Sequence, residues 1–159
     1  MITIALHGTP MGKERVRVTR SRGVFTPERT VRYEGRLALE AQRAMGRRPL
    51  FEGPLVVDVV AVMPIAESKP KKWKEAARRC EIVPVKKPDW DNFGKILDAL
   101  NMVVWVDDAQ IFRGSVEKFF GDKPMLAVRV RHAKPDDQIL PEWVAGLQPE
   151  QQPTEGIFG

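Results

Sequence analysis

Apolar and polar residues alternate, or fail to, in ways that divide the chain into short elements. Residues 2–8, ITIALHG, read as a strand, which Gly8, Pro10 and Gly12 then break. Residues 14–19, ERVRVT, alternate charged and apolar positions with the period of two of a half-exposed strand. Val24 and Phe25 pair back on it beyond a turn at Ser21–Arg22–Gly23. Thr26 and Pro27 then stand as N-cap and first position of a helix running to about Met45, where Gly46 and Pro49 end it. Residues 55–63, LVVDVVAVM, are apolar at every position but Asp58, which suits a central strand covered on both faces.

The second half continues the alternation of types. A short basic helix is expected near 71–79 and a brief strand at 82–85. Phe93, Ile96, Leu97 and Leu100 fall at i, i+3, i+4 and i+7, which predicts a helix over 91–101. Val103–Val106 reads as a strand, followed by two more near 112–119 and 125–131. The order β-β-α-β-α-α-β-β-β argues for an α/β (α+β) fold, a single domain with a mixed β-sheet packed with helices. Its 159 residues are enough to bury a real core. From Ala133 the composition turns to Pro, Gln, Glu and Gly, so the chain divides into a domain over 1–132 and a partly disordered tail over 133–159, with Trp143 expected to pin the tail to the domain.

Charge narrows the partner. The net charge is +5, but residues 1–50 carry 11 Lys+Arg against 4 Asp+Glu, and residues 132–159 carry 1 against 5. A basic first third suits a polyanion such as nucleic acid; a merely soluble basic protein is the plainer alternative. Lys13, Arg15 and Arg17 alternate along one strand face, and Lys69, Lys71, Lys72 and Lys74 cluster at the short helix. These are the expected phosphate contacts, set against an ordinary solvated face. No apolar run reaches the ~20 residues of a membrane span. With Cys80 alone there is no internal disulfide and no cysteine metal site, which fits a reducing cytoplasm.

The chemistry concentrates in residues 87–111. Asp89 and Asp91 stand two apart where a helix begins, and Asp91, Lys95 and Asp98 form one stripe along it. Asp107 and Asp108 close the next segment; alternation lets one of them face the first pair. Converging carboxylates repel one another without a cation, and they suit Mg²⁺, a hard ion that prefers oxygen ligands. Such a site drives in-line phosphoryl displacement, with a lysine adding a point charge. Each piece also has a plain structural reading: Asp89 or Asp91 as an N-cap, Asp91–Lys95 as an exposed ion pair, Asp107–Asp108 as a turn.

The segments KPDWDNFGKILDALN (87–101) and VWVDDAQI (104–111) resemble the RusA family of Holliday-junction resolvases, common in phages and prophages. GTPMGKERVRV, VFTPERTVRYE and SKPKKW support the resemblance more weakly, so that it spans most of residues 1–131. It implies a Mg²⁺-dependent homodimeric endonuclease of recombination and repair that cuts four-way DNA junctions, with Mn²⁺ as the expected substitute. Asp89, Asp91 and Asp108 match the family's metal-binding aspartates, Asp107 beside the third is a further candidate metal ligand, and Lys95 matches the essential lysine. One departure is that the gap between Lys95 and the Asp98–Ala99–Leu100 segment is one residue shorter, which turns a helix by about 100°. A non-catalytic protein that binds branched DNA through its basic half, and a nuclease for forked or flapped DNA, are the alternatives.

Overall fold

The computed structural model describes residues 1–147. Among them ten strands and α-helices run in the order β1 (Ile2–His7), β2 (Arg17–Thr19), β3 (Gly23–Phe25), α1 (Glu28–Met45), β4 (Leu55–Pro64), α2 (Lys71–Arg78), α3 (Trp90–Lys95), β5 (Ile111–Gly121), β6 (Met125–His132) and α4 (Glu142–Ala145), with a 3₁₀ turn at Ile96–Leu100 continuing α3. The main sheet has four strands in the order β1-β6-β4-β5; β4 and β5 run parallel and the other neighbours antiparallel. The fold is thus α+β with a mixed sheet, as the alternation predicted.

The core lies on one face of that sheet. Ile2, Ile4 and Leu6, Leu55, Val57 and Val59, and Leu126, Val128 and Val130 meet Leu37, Ala41 and Met45 of α1 and Phe93, Ile96 and Leu100 of the α3 segment. Burying these apolar side chains is the main favourable term in the fold. The opposite face is different. Asp58 of β4 receives two hydrogen bonds from Arg129 and one from Ser115 (2.8 Å), while Val60 and Val62 are only half-buried. The apolar run of β4, interrupted at Asp58, does mark a central strand, between β6 and β5, but its second face is buried only at Val56 and is shared beyond it with the polar Ser115 and Arg129 of its neighbours.

Other elements depart from expectation for local reasons. Residues 82–85 form no strand, and Val103–Val106 form a tight turn rather than one. Met102 takes a positive φ of 62°, its amide donates to the Trp105 carbonyl, and the Trp105 indole donates to Asn101 Oδ1 at 2.7 Å. Trp105 is fully buried there, so its apolar neighbours report core packing and not strand alternation. Strand β2 is confined to Arg17–Thr19, and Pro27, not Thr26, stands at the N-cap of α1. Trp143 is 73 % exposed and pins nothing. Asp137 does so instead, accepting from Arg131 and Arg113 and from the Lys134 amide. Residues 148–159 of the tail lie outside the described residues.

Candidate active site

Two segments far apart in sequence build a cleft of about 570 Å³. Residues 10–17 form one wall and residues 87–95 the other. The walls touch where Gly12 packs against α3: a Cβ on Gly12 would stand 2.7 Å from the Cβ of Asn92, and the Lys13 amide donates to the Asn92 carbonyl at 3.0 Å. Strand β5 fixes the second wall from behind. The Trp90 indole donates to the Val116 carbonyl at 2.8 Å, and Lys118 Nζ donates to the carbonyls of Lys86 and Pro88, both at 3.2 Å. The lead-in to α3 is thus anchored by hydrogen bonds to an edge strand, although it lies in no regular element.

Asp89 and Asp91 both line this cleft. Asp89 occupies the N-cap position of α3 in extended geometry, yet its side chain makes no capping hydrogen bond. Its exposed carboxylate is left for other work, which sets aside the plain reading of this residue as a cap. Asp91 accepts from Lys95 Nζ at 2.8 Å. The bond from Lys95 is the main cause holding the Asp91 carboxyl below its usual range, against the opposing effect of desolvation. The two side chains are 59 % and 54 % exposed, so water screens the pair and a phosphate can displace Asp91 as the partner of Lys95.

The second acidic group stands at the end of the Val103–Val106 turn. Asp107 and Asp108 have separate tasks there. Asp107 caps a 3₁₀ turn over Asp108–Gln110, accepting from the Ala109 amide at 2.8 Å, while Gln110 Oε1 accepts from the Asp107 amide. Gln110 Nε2 ties the turn to the carbonyls of Phe51 and Gly53. Asp108 is half-buried, and its carboxyl is pushed up first by burial, then by contact with Asp98 and Asp107.

Lys13 bridges the two groups. It lines the cleft with Asp89 and Asp91, and its ammonium lies 2.8 Å from Asp98 Oδ2 and 3.2 Å from Glu34 Oε1. Burial works to depress the ammonium, but the bonds to Asp98 and Glu34 more than reverse it, and its pKa is raised. Lys13 is therefore engaged within the protein. Arg15 and Arg17 remain on the cleft wall, whereas Lys69, Lys71 and Lys72 lie outside it, with Lys69 stacked over the Trp73 ring at 4.8 Å. Glu34 and Lys118 carried no sequence signal, because their roles arise from tertiary packing alone.

Asp108 is not among the residues lining the cleft, and among the described residues no group of three or more His, Cys, Asp or Glu side chains stands arranged to hold a metal ion. The donors nonetheless fit a hard divalent cation: Asp89 has a carboxylate free of internal bonds, Asp91 is held ionised, and Asp108 is crowded by Asp98 in a way that a cation relieves.

The chain matches the family profile of endodeoxyribonuclease RusA over residues 7–131. It is also 32% identical, over 138 residues, to the uncharacterised protein YqaN of Bacillus subtilis (strain 168), covering 82% of this chain and 95% of that protein.

Proposed function

The chain belongs to the RusA endodeoxyribonuclease family, and from that premise we propose that it is a Mg²⁺-dependent endonuclease, acting as a homodimer, that cuts the backbone of four-way DNA junctions. The observation that carries this reading is an acidic pair set in a cationic cleft. Asp89 and Asp91 face a space whose other charged lining residues are Lys13, Arg15, Arg17, Lys87 and Lys95, with Glu14 the one further carboxylate. Glu14 and Asp91 are paired with Arg17 and Lys95, but among the described residues Asp89 has no cation partner, and a bare carboxylate in a phosphate-binding wall repels phosphate unless a metal ion offsets it.

Asp89, Asp91 and Asp108 would hold the metal, which when bound readies a water for in-line attack and offsets charge on the leaving oxygen. Arg15 and Arg17 position the phosphate from the opposite wall. Lys95 exchanges Asp91 for a phosphate oxygen. Lys13 draws Asp98 toward itself and so shapes the surroundings of Asp108. Asp107 holds the turn that presents Asp108. A four-way junction is nearly two-fold symmetric, and paired cuts across it suit two copies related by a C₂ axis.

The test is incubation of the purified chain with a synthetic four-way junction and Mg²⁺, beside fork, flap and linear duplex. Paired nicks in the junction, lost with EDTA and in Asp91→Asn, support the proposal. Full activity of Asp91→Asn would overturn it. The second reading, a non-cutting protein that binds branched DNA, is favoured by the engagement of Asp91 with Lys95. It predicts binding that survives loss of the aspartates and no cutting even with Mn²⁺.

A further inference from the structure

A second cleft, of about 650 Å³, shares Met11, Glu14 and Arg17 with the first and opens along α1. Its lining holds four arginines, Arg17, Arg29, Arg32 and Arg36, against two carboxylates, Glu14 and Glu28. Arg29, Arg32 and Arg36 follow one another at i, i+3 and i+7, so they form a stripe on one face of the helix. That stripe spans about 10 Å along the axis, roughly three phosphates of one strand of a DNA duplex.

Three further features favour an anion. Helix α1 is 18 residues long and starts in this cleft with no side chain capping its first turn, so its positive end is open. The Arg32–Glu28 pair is 76 % and 78 % exposed, so a phosphate replaces the carboxylate easily. Tyr33 lines the cleft but is only 4 % exposed, and its hydroxyl lies near the Met11 backbone without a well-formed hydrogen bond. Burial pushes that phenol up, which keeps it a proton donor at neutral pH.

We propose that this cleft is a second DNA-backbone groove, in which Arg17, Arg29, Arg32 and Arg36 grip a duplex arm that is not being cut. The inference rests on the endonuclease reading in taking branched DNA as the polyanion. Residues 10–17 wall both clefts, so a strand in the first and an arm in the second lie on either side of them. Placing both at once favours a branch over a single linear duplex.

The experiment measures binding of a labelled four-way junction to the full chain by fluorescence anisotropy in EDTA, across a salt series. The variants are Arg29→Ala/Arg32→Ala, Arg29→Lys/Arg32→Lys, and, outside both clefts, Arg43→Ala/Arg47→Ala in the last turn of the same helix and just beyond its end. The first should bind about tenfold more weakly, with a log–log salt slope shallower by about 2, because two counterion-releasing contacts are lost. The lysine pair should restore the slope, and the third variant should keep it. Circular dichroism checks that all three fold. An unchanged slope in the first variant, or an equal change in the third, would overturn the groove while leaving the endonuclease reading intact. If the unaltered chain binds no junction, both fail together; if Asp91→Asn binds normally without cutting, the endonuclease reading stands on its own.

Discussion

Lys13 Nζ lies 2.8 Å from Asp98 Oδ2 across 85 residues of sequence, and Asp98 in turn crowds the carboxyl of Asp108. This one ammonium offsets part of the negative charge around Asp108. In Lys13→Gln, Asp98 loses its partner and its charge bears more fully on Asp108, which then keeps its proton to higher pH. The acid limb of the pH–rate profile for junction cleavage should move upward. A profile that does not move separates Lys13 from the acidic group.

The adjacent aspartates should respond unequally. Asp108→Asn removes a proposed metal ligand and should lower cleavage by at least about a hundredfold, with DNA binding retained. Asp107→Ala removes a cap and should cost about 1 kcal/mol of stability, with a smaller loss of activity. Urea denaturation and single-turnover cleavage distinguish the two. Equal losses of activity with equal stability would show that the cap is not the role of Asp107.

Gly12 lets the two cleft walls approach. Gly12→Ala puts a methyl group 2.7 Å from the Asn92 Cβ and 3.1 Å from the Pro88 Cβ, so one wall must retreat. The expected result is a fall in cleavage of about tenfold or more, since misplacement by an ångström costs on that order or above. Far-ultraviolet circular dichroism should stay unchanged.

Asp137 ties the start of the tail to the sheet through Arg131 and Arg113. Its carboxyl is depressed far below the usual range, chiefly by Arg131 and then by the Lys134 amide. A depressed carboxyl contributes stability above its unfolded pKa, and loses that contribution as pH falls through the folded value. The urea midpoint of the unaltered chain should therefore drop from neutral pH into the region below about pH 4. Asp137→Asn should start lower at neutral pH and drop less.

Local pattern made much of the scaffold legible. The apolar stretch before Gly8 marked β1, and the spacing of Phe93, Ile96 and Leu97 marked the buried side of the α3 segment. Pattern failed where distant contacts decide. Val104 and Trp105 read as strand because both are fully buried, but their burial comes from a turn closed by Asn101 and tied to Phe51. The aspartates were visible as spacing. That Lys13 is committed to Asp98 and Glu34, instead of standing free for phosphate, depends on long-range folding that spacing does not reveal.

Strands β4 and β5 run side by side in the same direction, so the chain between them must travel back over the sheet before β5 can begin. Every acidic residue assigned to cutting lies on that return journey. Assembly of the blade and closure of the sheet are thus one event, late in folding because it joins remote stretches of chain. If those aspartates cut DNA as proposed, a chain that has not yet closed its sheet should cut none.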